Sequence, residues 1–508
     1  MTPPHHAGPA AAPAWASGFY KLSVAERRAI LQQAFPEVFE PEIQAAGGEF
    51  PLLPLSTDQA DNMVENCVGT MGLPVGVGLN FVINGRPTVV PMAVEEPSVI
   101  AAASNAAKTI LAGGGFAAST SDPRNVMIAQ VQILDLPEEQ LAPAAERILA
   151  AQEALRQEAN SRFCASMAKR GGGLVSVTVR TVDPARLASA QDLFDAGVCP
   201  SFEARHARAA ADPANQDTPA LEVRSPRTPY LVVHLLVAVC EAMGANVCNT
   251  VAEGLAPMLE RLAAGDAGDL APRAGLRILS NLAIHRLARA SFRVPVAALA
   301  RPGSDGLQVA QRIVEAAAFA HDDPFRAATH NKGIMNGVGA AAVALGQDWR
   351  AVEAGAHAFC AVDQYAAKRP GSGYQPMTQY WVEGAGPDAV LRGEIELPLA
   401  VGTKGGAVTT VQSYRVALAL AGSPTSAELS HILACVGLAQ NFAAVRALSL
   451  EGINRGHMAL HARNIAVAAG VPTERVTEAA AWMITHGGGP TTDAAKAFLA
   501  AQGIAPST

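Results

Sequence analysis

Apolar and polar residues alternate with two different periods along the chain, and the period changes near residue 125. Between 126 and 280, short apolar runs suited to strands follow one another with longer stretches at helical spacing. Their order is βαββαβ, the succession of a ferredoxin-like domain. The predicted elements are a strand at Val126–Leu134, a helix at Glu138–Lys169, strands at Leu174–Arg180 and Tyr230–Val239, a helix at Met243–Ala264 and a strand at Leu276–Leu279.

Helical sequence rich in small residues flanks this domain on both sides. It predicts helices at Val99–Leu111 and Gln308–His321, and the residues around Asn84 and Gly85 predict a β-hairpin at Ile83–Val90. We therefore predict an α+β protein: a large, mainly helical domain at 21–125 and 281–450, an inserted ferredoxin-like domain at 126–280, and a small C-terminal helical flap at 451–508. Residues 1–20 are predicted to be a flexible tail, and 181–228 a surface excursion that is too long for a hairpin loop.

Composition and charge narrow the class of protein. The chain has 508 residues, half of them hydrophobic, so it has ample apolar content for more than one domain. Its formal net charge of −7 argues against a nucleic-acid or anionic-membrane partner. The seven scattered cysteines predict reduced thiols in a cytoplasmic protein. The apolar stretch Tyr230–Val239 is too short to cross a bilayer.

A polar segment, Asp323–Gly337, stands at the head of an apolar run, Val338–Leu345, that predicts a buried helix. It includes Lys332 between Asn331 and Gly333. A lysine desolvated at a helix start can hold a fixed positive charge against a polarised oxygen, or lose its proton and act as a nucleophile. The alternative is an ordinary helix cap, since Asn and Thr are also preferred there.

Two adjacent carboxylates, Glu95 and Glu96, come just before Pro97 and the predicted helix Val99–Leu111. The dipole of a helix N-terminus stabilises anions, and this explains the pair without any function. Alternatively, one carboxylate is desolvated, has a raised pKa and passes protons.

The second helix of the inserted domain begins within Glu241–Thr250. Gly244 and Ala245 would let an anion approach the helix N-terminus, and Asn246 could supply a donor, although a plain helix start explains Gly244 equally well. A dinucleotide fingerprint and a Walker A loop are both absent, because the glycine-rich run at 402–406 is too short for the latter. Any nucleotide must therefore bind in some other mode.

Two other features have ordinary explanations. His457 and His461 have the spacing of a zinc-binding helix, but Met458 stands where a metalloprotease has its Glu and a third ligand is missing, so we expect no metal. Asp348 is expected to cap the next helix or to pair with Arg350.

Five segments together resemble the 3-hydroxy-3-methylglutaryl-coenzyme A (HMG-CoA) reductases of the soluble, bacterial class II type. They are Glu65–Gly69, Val94–Ser98, Glu241–Thr250, Arg326–Gly337 and Gly456–Arg463. The longest matching words are Thr-His-Asn-Lys-Gly-Ile-Met-Asn-Gly and His-Met-Ala-Leu-His-Ala-Arg-Asn-Ile-Ala. The resemblance implies four-electron reduction of HMG-CoA to mevalonate with two nicotinamide dinucleotides, through a mevaldyl-CoA hemithioacetal and mevaldehyde, or the reverse oxidation.

The same resemblance implies the roles of individual residues. Lys332 would stabilise the oxyanion of the thioester carbonyl, and Glu96 would supply a proton. Asp348 would hold both in one network, and His457 would protonate the departing CoA thiolate. The implied substrate-binding residues are Arg326, Ser98, Asn281 and Asn336, and the implied cofactor-binding residues are Glu241, Met243, Gly244, Ala245, Asn246 and Arg162.

The resemblance leaves the choice of dinucleotide open. NAD-preferring relatives carry an aspartate near the end of the first helix of the small domain, and Asn160–Ala168 contains no acid here. Either Glu158 substitutes for it, or Arg162 accepts the 2′-phosphate of NADP(H). We favour NAD(H), because soluble relatives of this type often use it.

The segment Glu65–Gly69 matches the family's dimer-contact motif. The resemblance therefore predicts a homodimer, or a higher even oligomer, with active sites between subunits. The alternatives from other classes are a Schiff-base lyase that uses Lys332 as nucleophile, and a non-catalytic CoA-binding dimer. The lyase leaves His457 and the small domain unexplained. The non-catalytic dimer is expected to have lost at least one of the four catalytic residues.

Overall fold

A computed structural model describes residues 11–45, 47–52, 55–183, 228–265, 270–301, 303–361, 374–450, 462–486 and 488–505. The chain divides into two compact units. The first comprises Met1–Asn125, Glu241–Met243 and Asn281–Thr508, and the second comprises Val126–Cys240 and Gly244–Ser280.

Ten strands and seventeen α-helices are seen in the described residues. The strands are β1 Val75–Ile83, β2 Arg86–Ala93, β3 Phe116–Thr120, β4 Val126–Leu134, β5 Gly173–Val182, β6 Tyr230–Ala238, β7 Arg273–Ser280, β8 Leu287–Pro295, β9 Thr378–Glu383 and β10 Val390–Pro398. The helices of the first half are α1 Val24–Ala34, α2 Pro36–Ala45, α3 Thr57–Asp61, α4 Val99–Ile110, α5 Glu138–Ala150, α6 Gln152–Glu158, α7 Ala165–Ala168 and α8 Ala245–Ala264. Those of the second half are α9 Gly306–Asp322, α10 Pro324–Ala344, α11 Trp349–Ala361, α12 Ala407–Thr410, α13 Gln412–Leu420, α14 Ser426–Leu450, α15 at 462–468, α16 Val476–Thr485 and α17 Thr492–Ala501.

The first unit is built on a six-stranded sheet of order β2-β1-β3-β8-β10-β9. Strands β1 and β2 form the predicted hairpin through Asn84 and Gly85, and both turn residues have the positive φ that a tight two-residue hairpin requires. Helix α14 packs on β8 and on helices α4, α9 and α10. It is long and apolar enough to cross a membrane, but 78% of its apolar window is buried inside the protein, as in a core helix.

The second unit has the predicted βαββαβ succession. Its four strands are antiparallel in the order β5-β6-β4-β7, and α5 and α8 pack against the sheet and against each other. Helix α8 buries Val251, Leu255 and Leu259, which recur at helical spacing along one side. The α+β class predicted from the hydrophobic pattern is confirmed.

The single helix predicted at Glu138–Lys169 is wrong in its continuity. The structure breaks it into α5, α6, a π-helical turn at Ala159–Phe163, and α7. Within the π turn, the Asn160 amide accepts a hydrogen bond from the backbone N–H of Leu174 at 2.8 Å and donates to its carbonyl at 3.2 Å. Side-chain bonding to a neighbouring strand opens the regular helix there, which helical periodicity alone cannot reveal.

Both ends of the chain have their own apolar clusters. Phe19 is buried with Leu31, Phe39 and Leu79, so the packed fold begins before residue 20, where the flexible tail was predicted to end. The reason is that the aromatic rings of Trp15 and Phe19 pack together and cover this cluster. At the other end, helices α15 to α17 share a small core of their own, and a mobile C-terminal flap stays a prediction. The predicted excursion at 181–228 falls almost entirely on residues outside the described ranges.

Candidate active site

The segment that carries Lys332 is a long helix, and its start differs from the prediction. Asp323 caps α10 by accepting hydrogen bonds from the N–H groups of Phe325 at 2.7 Å and Arg326 at 3.3 Å, and Pro324 occupies the first helical position. Lys332 therefore lies more than two turns inside the helix, with a side chain 63% exposed. Both alternatives that the sequence offered, a desolvated lysine and a helix cap, assumed a helix start at this segment, and that position is wrong for Lys332 in the single chain.

The opposite face of α10 is anchored by buried polar groups. The Asn331 amide donates to the carbonyl of Gln375 and accepts from the N–H of Met377, both at 2.9 Å. His330 lies 2.6 Å from the Thr378 hydroxyl, which donates to the Asn441 side chain. Because these bonds fix the rotation of α10 about its axis, the residues one turn apart at 332 and 336 have a defined direction.

Glu96 meets that outward side of α10. Its carboxylate oxygen Oε2 lies 3.2 Å from the Lys332 ammonium and 3.3 Å from the Asn336 amide nitrogen, which donates to it. Lys332 and Asn336 are four residues apart and therefore neighbours on one helix face. Glu96 comes from the connection between β2 and α4, far away in sequence. The structure thus brings together three of the residues that the resemblance indicated.

Ser98 and Arg326 have unused hydrogen-bonding capacity. Ser98 precedes α4 with φ of +75°, and its buried hydroxyl has no hydrogen-bond partner among the described residues. The half-buried guanidinium of Arg326 likewise has no acceptor there, and burial lowers its pKa. Unsatisfied buried polar groups are costly, so both positions suit a polar or anionic ligand.

Asp348 and Asn281 make no hydrogen bond or ion pair with this cluster among the described residues. Asp348 caps α11 by accepting from the N–H of Ala351 at 3.1 Å and lies 3.8 Å from Arg350, as the local pattern predicted. Within the described ranges its carboxylate makes no bond to Lys332 or Glu96. Asn281 is exposed at the start of the returning chain. His457 and the rest of 451–461 lie outside the described residues.

A cavity of about 1160 Å³ opens beside Glu96 in the first unit. Glu96 and Ser98 line it together with apolar residues of the N-terminal helices and three basic residues, Arg27, Arg28 and Lys108. Sequence reasoning missed these basic residues. The available signal was Lys108 itself, a lone charge among the alanines of α4.

In the second unit, the start of α8 has the features expected of an anion site. Gly244 precedes the helix with φ of +103°, and a Cβ there would lie 2.6 Å from the Val239 side chain. Only glycine combines that conformation with that approach. The 20-residue helix has no side-chain cap, so its first N–H groups stay available, and Ala245 and Asn246 follow at its first turn.

Glu241 and Met243 already have protein partners. The Glu241 carboxylate accepts from the Thr403 hydroxyl at 3.0 Å and from the N–H of Ser426 at 2.6 Å, at the start of α14. The Met243 carbonyl accepts from Arg286 at 2.9 Å. In this structure both residues hold the segment 241–243 in place.

Glu158 and Arg162, the two residues that could decide between NAD(H) and NADP(H), form an ion pair with each other. Arg162 donates to the Glu158 carboxylate across one helical turn, with both side chains partly exposed to solvent. An exposed pair of this kind contributes only about 0.3–0.5 kcal/mol. Either partner can therefore be drawn away by a ligand at little cost.

Comparison with known proteins identifies one family. A family model described as hydroxymethylglutaryl-coenzyme A reductase matches residues 23–462. A 3-hydroxy-3-methylglutaryl-coenzyme A reductase of Archaeoglobus fulgidus is 39% identical over 473 residues, which cover 92% of this chain and 91% of the relative. A probable reductase of Borreliella burgdorferi is 29% identical, covering 80% and 77% of the two chains.

Solved structures agree as well. A 3-hydroxy-3-methylglutaryl-coenzyme A reductase from Streptococcus pneumoniae has a TM-score of 0.70 at 33% identity and covers 96% of this chain and 100% of that one. A class II reductase structure from the same organism, bound to NADPH in open conformations, has a TM-score of 0.69 at 35% identity, covering 86% and 100%. The chain therefore belongs to the hydroxymethylglutaryl-coenzyme A reductase family and is an oxidoreductase that interconverts HMG-CoA and mevalonate plus CoA with a nicotinamide dinucleotide.

Proposed function

We propose that both hydride transfers of this reaction take place at the cluster of Glu96, Lys332 and Asn336. The observation that carries the proposal is the 3.2 Å approach of the Lys332 ammonium to the Glu96 carboxylate, between residues 236 positions apart. Neither residue has a local reason to meet the other. A cation beside a carboxylate, open to solvent, matches what carbonyl reduction requires.

Lys332 supplies the positive charge. A bound dinucleotide would supply the hydride. When the hydride adds to a carbonyl carbon, negative charge develops on the carbonyl oxygen. An ammonium group held at that oxygen stabilises the charge as it develops. The exposure of Lys332 in the single chain fits a site that substrate completes and from which it excludes water.

Glu96 is the proton donor for that oxygen in the aldehyde step. Lys332 and Asn336 both contact its Oε2 atom, so the carboxyl group lies directly beside the ammonium group that stabilises the oxyanion. We assign Asp348 to the same network in the assembled enzyme, and His457 to protonation of the departing CoA thiolate. The thiolate needs an acid, and histidine is suited to that task near neutral pH.

The substrate carboxylate is assigned to Arg326, with Ser98, Asn336 and Asn281 as hydrogen-bonding neighbours. Arg326 is a partly buried cation without an acceptor among the described residues, and Ser98 has a buried hydroxyl without one. A carboxylate would satisfy the guanidinium with a pair of charge-assisted hydrogen bonds.

CoA is assigned to the cavity beside Glu96. CoA carries an extended, partly apolar arm and several phosphate charges. The cavity combines apolar walls with Arg27, Arg28 and Lys108, and it reaches Glu96 and Ser98, where the thioester must lie. Its volume of about 1160 Å³ is above the usual range for drug-sized ligands, as a ligand of this length requires.

The dinucleotide is assigned to the start of α8 and the segment before it. The uncapped N-terminus and the glycine at φ of +103° fit a phosphate group, which the helix dipole favours. Glu241, Met243, Gly244, Ala245 and Asn246 would hold it there. We propose NAD(H) as the preferred form, with Glu158 accepting the ribose hydroxyl. Arg162 is the residue that would serve NADP(H).

A homodimer is the proposed assembly. The segment that contains Glu65–Gly69 exposes large apolar side chains, including Val68, which is fully exposed, and Met71 at 95%. Residues of this kind on an extended segment are typical of a surface that another chain covers. The resemblance of Glu65–Gly69 to the family's dimer-contact motif indicates that a second copy of this chain covers the surface. The proposed protein is a homodimer or a higher even oligomer in the cytoplasm.

A steady-state assay tests the function. HMG-CoA is offered with NADH and with NADPH, and mevalonate plus CoA with NAD⁺ and with NADP⁺, while dinucleotide absorbance is followed. We expect turnover in both directions, faster with the NAD pair. The lyase alternative predicts instead that borohydride traps a carbonyl substrate on Lys332 without dinucleotide. If the folded, dimeric protein oxidises neither NADH nor NADPH when HMG-CoA is added, the proposed reaction is rejected.

A further inference from the structure

Two consecutive helices of the first unit, α10 and α11, carry two of the residues assigned to catalysis. Lys332 lies within α10, and Asp348 caps the start of α11. The helices pack against each other, and α10 buries mainly apolar side chains, several of them alanines. Apolar contact is not directional, so it does not by itself fix the rotation of either helix. Another interaction must set the placement of one helix relative to the other.

The segment 374–377 is bonded to both helices. The backbone N–H of Gln375 donates to the carbonyl of Cys360 in α11 at 3.1 Å. The next bonds go to α10, where the Asn331 amide donates to the Gln375 carbonyl and accepts from the N–H of Met377. Hydrogen bonds are directional, so a segment bonded to both helices holds them in one relative placement.

A tyrosine and a histidine add a side-chain bond at the same place. The Tyr374 hydroxyl lies 2.5 Å from Nδ1 of His357 in α11, and the two rings stack with their centroids 5.9 Å apart. The other ring nitrogen of His357 lies 3.6 Å from the carboxylate of Glu353, one turn earlier. Because a hydroxyl can donate or accept, the bond to Nδ1 persists whether His357 is neutral or protonated.

Tyr374 also lies next to the polar anchor of α10. Burial raises the pKa of Tyr374, and the neighbouring Asn331 amide opposes that rise. Asn331 is fully buried, whereas the next residue, Lys332, has a side chain that is 63% exposed. A helix moves as a rigid element, so a displacement of Asn331 also displaces Lys332.

We propose that Tyr374 and His357 are positioning residues for the reaction. Their bond holds α10 and α11 together and thereby keeps the Lys332 ammonium beside Glu96, where the oxyanion develops. The inference rests on the catalytic roles proposed for Lys332 and Asp348. Neither Tyr374 nor His357 is assigned to touch substrate or cofactor, so loss of their bond should slow the chemical steps without weakening the binding of either ligand.

The first test compares Tyr374→Phe, which removes only the hydroxyl, with Tyr230→Phe, which removes the hydroxyl of a half-buried tyrosine in the second unit. In each variant, kcat and KM are measured with HMG-CoA and with free mevaldehyde, and the folded fraction is measured by circular dichroism. Tyr374→Phe is expected to lower kcat about tenfold for both substrates, because a small displacement of a positioned group is enough for such a loss. KM should be almost unchanged, and Tyr230→Phe should match wild type.

Two replacements of His357 give a second test. Asn places an amide near the position of Nδ1 and can still bond to the Tyr374 hydroxyl, whereas Leu cannot. His357→Asn is therefore expected to keep most of the wild-type kcat, and His357→Leu should lose as much as Tyr374→Phe. The double variant of His357→Leu and Tyr374→Phe should lose little more than either single variant, since both remove the same bond.

Each other outcome has a definite meaning. A wild-type kcat in Tyr374→Phe would overturn the proposal. A loss of kcat that only matches the loss of folded protein would overturn it in favour of a purely structural role, and a loss confined to KM would do so in favour of a ligand contact. A folded wild-type protein that does not reduce HMG-CoA would instead contradict the proposed function.

Discussion

Two cation–carboxylate pairs in this protein have similar contacts and different origins. Lys332 meets Glu96 across 236 positions of sequence, whereas Arg162 meets Glu158 across one helical turn. The helical pair joins residues four positions apart, where α6 runs into the π-helical turn. The long-range pair exists only after α10 has packed beside the connection between β2 and α4.

The difference indicates what each pair does. Both pairs are substantially exposed, so neither contributes much to stability. The long-range pair also has Asn336 as a second donor, and Ser98, two residues after Glu96, has a buried hydroxyl without a partner among the described residues. The fold holds these charges in a preorganised arrangement, as catalysis by electrostatic stabilisation requires. The helical pair is a local contact that a ligand can open, which suits selection between two cofactors.

The largest expected effect comes from removing the long-range cation. Lys332→Ala should lower kcat in both directions by about 10³-fold, because the charge on the carbonyl oxygen loses its stabilising ammonium. Circular dichroism should show an unchanged fold, since the side chain is mostly exposed. Lys496→Ala is the matched control. A variant that keeps more than a hundredth of wild-type turnover would contradict the oxyanion role.

Glu96→Gln is expected to have the next largest effect. The amide keeps the size of the side chain and can still accept hydrogen bonds, but it has no proton to deliver, so kcat should fall by about 10²-fold. Reduction of free mevaldehyde should fall at least as much as reduction of HMG-CoA. The measurement is kcat for both substrates with the neighbouring Glu95→Gln as control. Equal activity of the two glutamine variants would remove Glu96 from the proton path.

Changes in the helical pair should alter cofactor preference and leave the chemical step nearly intact. Arg162→Ala should raise KM for NADPH by about tenfold relative to NADH, through loss of one contact to a 2′-phosphate. Glu158→Gln should do the reverse by a similar factor, since the ribose hydroxyls exchange a charged acceptor for a weaker neutral one. The ratio of kcat/KM for the two dinucleotides is the measurement. If neither variant moves that ratio, the pair has no part in selection.

The smallest expected effect is on stability, and here the two pairs should behave alike. Glu96→Gln and Glu158→Gln each remove one exposed ion pair, worth under about 1 kcal/mol. In a thermal melt at matched protein concentration, each should shift Tm by about 3 °C or less. A large loss for Glu96→Gln alone would indicate that the long-range pair is structural, and its catalytic assignment would need another basis.

Local sequence was enough to predict several elements. The strand Val126–Leu134 has the predicted bounds, and the hairpin turns at Asn84 and Gly85 as predicted, although its strands extend beyond the predicted Ile83–Val90, from Val75 to Ala93. Turn chemistry and apolar runs are local properties, so the sequence reports them. The break of the long helix at Ala159–Phe163 was not predictable in this way. It depends on Asn160 bonding to Leu174 on another strand, which helical periodicity does not report.

The sequence alone determined the order of the secondary-structure elements, the α+β class and the residues of the motifs that resemble the family. Periodicity, turn residues and sequence motifs are all local properties of the chain. Only the tertiary structure decided that Lys332 lies inside a helix and is mostly exposed, that Glu96 and Asn336 share its neighbourhood, and that Asp348 caps its own helix in the single chain. The physical reason is that charges act through distance and burial, and both are set by how distant segments pack.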